Sequence, residues 1–349
     1  MIDWSKSYTS TWRVFKVNPK TWGDGELLRK VDSASVSRTA DGSVLESGSL
    51  AVSGQFDTGY YRIVMTAEQS GELARVDIAT LLFEVKGGSV DYGRTVHEVD
   101  GYSVLYPAST TAITIGEYAP KGVDGAQYAK SLLESAINAP VHAEGSFILN
   151  DHVVHELGSS VIEAVWAVLD AAPKGGYIIQ IDGRGEVHIK PRPTEPSLVL
   201  NSSNTRLLSN GIDFTSDTSE IPNRYVVIDD DVVVTAVNDD RNSPVSTISR
   251  GYYVDVVDTS PTPVDGKTLN EYATDRLERL SILKEERTYT REYADKVYLY
   301  SLVRGSINGL QGDMRVASQS INCGRGITVQ EKAVKETSLW STTSLYRNL

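Results

Sequence analysis

From Trp12 to about Ile115 apolar residues alternate with polar ones or stand in short runs, among them Trp12, Val14 and Phe15, Tyr60 to Met65, Val76 to Val85 and Tyr102 to Leu105. Successive side chains of a strand point to opposite faces, so a period of two predicts strands. Asp41-Gly42, Gly87-Gly88 and Asp100-Gly101 punctuate them at hairpin spacing. The stretch reads as an antiparallel β domain, ended by Pro107, the Thr/Ser residues after it and the turn-rich segment 119–125.

The period then changes. Tyr128, Leu132, Leu133, Ala136 and Ile137 recur three and four apart before Pro140, which predicts a short amphipathic helix. Ser160 and Glu163 form a Ser-x-x-Glu capping box ahead of a second helix, whose apolar stripe is Val161, Val165, Leu169 and Ala172 and whose stop is Pro173 with Gly175-Gly176. Tyr177 to Ile181 and Glu186 to Ile189 flank Asp182-Gly183-Arg184-Gly185, a hairpin signal. Helix, helix and hairpin make a small α+β unit, closed by the proline-rich run 190–196. Strands return at Asn223 to Ile228, Val232 to Val237 and Tyr252 to Val257. A longer helix is predicted from about Lys267 to Glu286, with Leu269, Tyr272, Ala273, Leu277, Leu280 and Leu283 on one face. Tyr298 to Val303, Met314 to Ile321 and Gly326 to Val334 read as further strands.

Length and composition bound this picture. The 349 residues, 40% of them apolar, allow two to four domains with cores of their own. Apolar runs fall far short of the roughly 20 residues that cross a bilayer, and MIDWSKSYTS has no charged-then-apolar leader, so neither membrane insertion nor export is expected. The single cysteine, Cys323, reads as a small buried apolar residue. The net charge of −12 opposes wrapping around a phosphate backbone, because such binders displace counterions with Lys and Arg. Ten acids between Asp213 and Asp258 face only Arg224, Arg241 and Arg250, so this segment holds −7 of that charge.

Candidate chemistry adds little. His152, His155 and Glu156 lie close together, but a zinc site on a helix favours histidines four apart, and here the spacing is three with no third ligand evident, so the pair reads as two surface imidazoles before a capped helix. Val153 and Val154 between them suit a strand. Asp229-Asp230-Asp231 and the turn 238–242 gather carboxylates of the kind calcium favours, without the alternate-position register of a calcium loop. Gly-Asp-Gly at 23–25 and Gly-Arg-Gly at 183–185 and 324–326 are turn signals, since no strand, lysine and helix surround them as in a phosphate cradle. Catalytic residues, cofactor and metal are therefore all expected to be none.

Several stretches together resemble the central tail hub proteins of bacteriophages, also called baseplate hub or late-control proteins. They are Ile221-Pro222-Asn223-Arg224-Tyr225-Val226-Val227-Ile228, the segment 239–247 with Gly251-Tyr252, Glu286-Arg287-Thr288, Val316 to Ile321, Val329 to Ala333, and the insertion carrying Ile181-Asp182-Gly183-Arg184-Gly185-Glu186-Val187. The resemblance implies a mainly β fold with α+β: two β-barrel-like tube domains, an inserted small α+β domain and a helix-containing fourth element. On this sequence it places the first tube domain at 1–118, the inserted domain at 119–200, the second tube domain at 201–335 with a helical element near 265–290, and a C-terminal tail at 336–349. It implies a homotrimer whose six tube domains form a pseudo-sixfold ring at the virion's tail tip. The partners implied are distal tail and tail tube proteins, a trimeric spike or fibre protein and a tape measure protein, with DNA only as passing cargo.

An acidic channel wall would repel phosphates rather than hold them, which makes Asp229, Asp230, Asp231, Asp239 and Asp240 candidate lumen-facing residues. Two other classes compete. One is a tail-associated cell-wall glycosidase or peptidase. The other is a receptor- or carbohydrate-binding tail module using Trp4, Trp12, Trp22 and Trp340, for which packing in a core or between subunits is the expected fate.

Overall fold

The computed structural model describes the chain except residues 1, 5, 41, 92–93, 115, 117, 173–175, 202–210, 260, 262–267, 308, 325 and 341–349. The predicted helix stop at Pro173 and Gly175, the predicted helix start at Lys267 and most of the expected tail 336–349 therefore lie outside the described residues. The chain is mainly β, 51% strand and 14% helix, with several sheets. Among the described residues no sheet closes into a barrel. Two compact units emerge, Met1–Ile212 with Thr288–Ala333, and Asp213–Arg287 with Val334–Leu349. The stretch 201–335 thus contributes to both.

In the first unit a large sheet runs in the order Asp24–Leu28, Thr9–Val17, Gly59–Gln69, Glu72–Asp91, Arg94–Tyr102, Glu46–Val52, Val31–Thr39 and Leu310–Cys323. Alternation explains it: in Val31–Thr39 the residues Ala34, Val36 and Arg38 are buried while Ser35 and Ser37 are not. Two glycines are a condition of the packing. Gly48 and Gly101 are register partners, and a Cβ would lie 2.6 Å from Leu81 at the first and 2.5 Å from Phe83 at the second. Omitting both side chains lets Leu81 and Phe83 lie over the sheet. The seam between the N-terminal and C-terminal β regions is the antiparallel ladder from Ser318↔Thr39 to Cys323↔Ala34, a pairing across nearly 280 residues of chain. Leu310–Cys323 also pairs with Leu302–Ile307, which runs parallel to Pro196–Leu200.

Within the same unit the inserted segment folds as its periodicity predicts. Helix Gly125–Ala136 is capped by Asp124, whose Oδ1 accepts from the Ala126 and Gln127 amides. Helix Val161–Asp170 carries the complete Ser160/Glu163 capping box. Strand Val187–Pro191 lies between Tyr177–Ile181, antiparallel, and Val141–Ala143, parallel. Pro107, expected only as a terminator, sits in the first turn of a short helix, Tyr106–Thr110, where its missing N–H costs nothing.

In the second unit Arg224–Asp229 pairs antiparallel with Val232–Val237 and parallel with Asp255–Asp258. Helix Leu269–Leu280, capped by Thr268 and Glu271, joins Tyr225, Val227, Ala236 and Trp340 in one small core through Tyr272, Ala273 and Leu277. The helix ends six residues before the predicted Glu286, and Ile282–Glu292 is a strand. Thr288, Tyr289 and Thr290 favour a strand, and burial of Tyr289 and Arg291 two apart sets its period.

Candidate functional site

The acidic candidates fall into two groups. Asp229, Asp230 and Asp231 form the exposed tip of the hairpin in the second unit, with Asp230 in the left-handed region at φ 48° that aspartate tolerates. Asp239 and Asp240 follow Val237 at the hairpin's opposite end, five register steps or roughly 17 Å away. Asp240 is built into a turn: its amide donates to Asn238 Oδ1 and its Oδ1 accepts from the Asn242 amide at 2.8 Å. The structure thus separates the two groups rather than joining them. Other acids of the segment hold the unit together. Asp255 binds Arg224, whose guanidinium holds the carboxyl below its ordinary range, and Asp258 Oδ2 accepts from the Tyr225 and Tyr272 hydroxyls at 2.9 and 2.8 Å.

The two close histidines also part. His152 Nδ1 accepts from the Lys121 amide at 3.2 Å, whereas His155, expected at the surface, is instead buried with its ring stacked on Tyr128. Val153–Val154 between them is a short strand paired with Tyr118–Ala119. Cys323 is buried, and burial pushes its thiol up to about 12, which suits an inert apolar side chain. Trp22 and Trp340 are buried as well.

Two arrangements in the first unit escaped sequence reading, both built on arginines that composition alone assigns to the surface. The first is a clamp on the hairpin turn 182–186. Arg62 is buried and donates to Asp24 Oδ1 at 2.6 Å, to Thr80 Oγ1, and to the carbonyls of Trp22 and Arg184. Trp22 Nε1 donates to the same Arg184 carbonyl at 2.8 Å, and Thr80 Oγ1 donates to the Gly183 carbonyl. A Cβ on Gly183 would lie 1.6 Å from the Asp77 carbonyl oxygen, and Gly185 has φ +74°, so both positions require glycine. The turn signal was legible; its partner was not.

The second is a chain of charges buried along the seam. Arg38 Nε donates to Glu46 Oε1 at 2.6 Å, Nη2 to the Ile78 carbonyl and Nη1 to Gln319 Oε1 at 3.2 Å. Gln319 Nε2 donates to Glu331 Oε2 at 2.7 Å, and Glu331 also accepts from Arg291 at 2.6 Å and from the Tyr289 hydroxyl. Arg38, Glu46, Tyr289, Arg291, Gln319 and Glu331 are all buried. Charges this far from water persist only when paired and hydrogen-bonded, so the chain of contacts accepts one strand register at the seam and penalises the others. These contacts tie strands from the two ends of the chain into one sheet.

No protein-family model matches the sequence, and no curated protein sequence matches it. Solved structures do. The tail protein from Neisseria meningitidis MC58 superposes with a TM-score of 0.64 over 95% of this chain and 97% of its own, at 14% identity. The 43 kDa tail protein of prophage MuSo2 from Shewanella oneidensis gives 0.62 over 93% and 98%, at 13% identity. A chain of the Francisella PdpA-VgrG complex gives 0.55 over 94% of this chain and 58% of its own, at 8% identity. The fold is that of phage tail proteins, followed from one end of the chain to nearly the other.

Proposed function

We propose that this chain is a structural, non-enzymatic component of a phage-type tail, and within it the hub at the tail tip. The observation that carries the reading is the full-length match in fold to tail proteins. It is supported by the seam, which makes one sheet from two β regions far apart in the chain. Three copies, each giving a first tube domain from 1–118 and a second from 201–335, would form the pseudo-sixfold ring between a hexameric tail tube and a trimeric spike or fibre. Distal tail and tape measure proteins are its neighbours in this reading, and DNA passes through without being held. The large sheet is open among the described residues, and Asp24–Leu28 at its end is a short edge strand. Edges are removed when a neighbouring copy completes the sheet.

Light scattering on the purified chain tests the stoichiometry. Three times the chain mass, with rings seen end-on by electron microscopy, is expected; a lasting monomer at micromolar concentration overturns the hub while leaving the fold untouched. The exposed triplet Asp229, Asp230 and Asp231 serves in this proposal to repel phosphates from the channel. Changing all three to Asn should leave assembly intact and slow DNA ejection, and unchanged ejection kinetics would remove the triplet from the channel.

A further inference from the structure

We propose that the hairpin turn of the inserted α+β element is a divalent transition-metal site, with Asp182, Glu186 and His188 as its protein ligands and zinc as the ion that suits them. One ligand atom from each of the three lies within 4.8 Å of the others. The geometry fixes which atoms are offered. Asp182 Oδ1 accepts from the Glu186 amide at 2.9 Å, which closes the turn and leaves Oδ2 facing His188 Nε2 at 3.7 Å. That separation exceeds a normal hydrogen bond. It is close to the roughly 3.4 Å between two tetrahedral zinc ligands with bonds near 2.0–2.1 Å.

The surrounding residues orient the ligands as metal sites require. Glu144 Oε1 lies 2.7 Å from His188 Nδ1, so Glu144 can hold the proton on that nitrogen, and an ion that displaces any proton from Nε2 would meet the carboxylate–histidine–metal arrangement. His142, the register partner of His188 on the neighbouring parallel strand, stacks on it at 5.1 Å and holds Glu186 Oε2 through Nε2 at 3.1 Å. Asp182, Glu186 and Glu144 supply carboxylates to the site, and the Arg184 guanidinium lies 3.3 Å from Glu186 Oε1. Arg184 is half exposed, whereas the three ligand side chains are each about a quarter exposed, reachable by an ion yet held in place. The clamp on the Gly183 and Arg184 carbonyls fixes the turn beforehand, so binding orders little further backbone. One imidazole with two carboxylates leaves a fourth position open, and the imidazole favours zinc over magnesium or calcium.

The experiment is a calorimetric titration of the chelator-treated full-length protein with zinc chloride at neutral pH in excess magnesium, together with cobalt absorption spectra. One zinc per chain, a rise in Tm and strong visible cobalt bands are expected. Asp182→Asn keeps the oxygen that accepts the Glu186 amide, so it should fold and lose binding. His188→Ala should lose both binding and the cobalt bands, and Glu144→Gln should weaken affinity about 10- to 100-fold. Arg184→Gln should bind at least as tightly as the parent, and His152→Ala should bind equally. No zinc uptake, or equal uptake by the folded Asp182→Asn and His188→Ala variants, overturns the site. His188 would then be read as an imidazolium bridging Glu144 and Asp182.

Discussion

Two buried guanidinium–carboxylate pairs flank Gln319, and they behave oppositely. Glu331 accepts from Tyr289, Arg291 and Gln319 on both its oxygens. Burial alone would raise it, but the charge of Arg291 and these hydrogen bonds outweigh that cost and hold it below its ordinary range. Glu46 accepts from Arg38 on Oε1, while its Oε2 has no hydrogen-bond partner among the described residues. There burial wins over the attraction of Arg38, and the carboxyl is raised. An ion pair of the same type in the same sheet is stabilising or costly according to how many donors meet the carboxylate, not according to whether a partner charge is present.

The sharpest way to break this contrast is Glu331→Gln. It removes the buried counter-charge of Arg291, which keeps only the Glu292 carbonyl among its acceptors in the described structure, and sets an amide N–H against donors, and it should cost about 3–5 kcal/mol in urea unfolding. Glu46→Gln should cost less, about 1–3 kcal/mol, since Arg38 keeps the Ile78 and Gln319 oxygens as acceptors. An equal or larger loss than Glu331→Gln would invert the comparison. Gln319→Leu should cost a similar 1–3 kcal/mol, and combining it with Glu331→Gln should give a clearly non-additive double-mutant cycle, because both changes remove the same contact. Ser160→Ala, which lifts the cap of a helix outside this network, should cost about 1 kcal/mol and add independently to each of them.

The pH dependence separates the two carboxyls by sign. Glu331, lowered in the fold, contributes stability that is present above the unfolded value near 4.5 and lost as pH falls through its folded value. Glu46, raised in the fold, contributes stability that is present below 4.5 and lost as pH rises through its folded value. Melting curves taken from about pH 3 to pH 7 should therefore show Glu331→Gln flattening the acid limb and Glu46→Gln steepening the rise in stability with pH. The same slope in both variants would refute the assignment.

Much of the fold could be read from local pattern. Ser160 with Glu163 marks a helix start, Asp182 to Gly185 a hairpin and Val232 to Val237 a strand, because caps, turns and period are settled within a few residues. The same local logic ran the long helix on to Glu286, where the sheet pattern of Tyr289 and Arg291 takes over. The candidate sites were harder to see. His152 and His155 drew notice by nearness in sequence and have different surroundings, whereas His142, Glu144 and His188 meet only because a parallel ladder joins 141–143 to 187–189. The alternation Glu186, Val187, His188, with both polar residues on one face next to Asp182, was the one signal on offer.

By itself the sequence determined the β-rich class, the helical insertion between two strand-rich regions, the buried role of Cys323 and the acidic excess, all properties of neighbouring residues or of composition. Only the tertiary structure decided that 318–323 pairs with 34–39, that Arg38, Arg62 and Arg291 are interior, and that the acids at 229–231 and 239–240 stand at opposite ends of one hairpin. A charged side chain enters a core when partners distant in the chain supply its hydrogen bonds, and that supply is set by strand register, which no local pattern encodes.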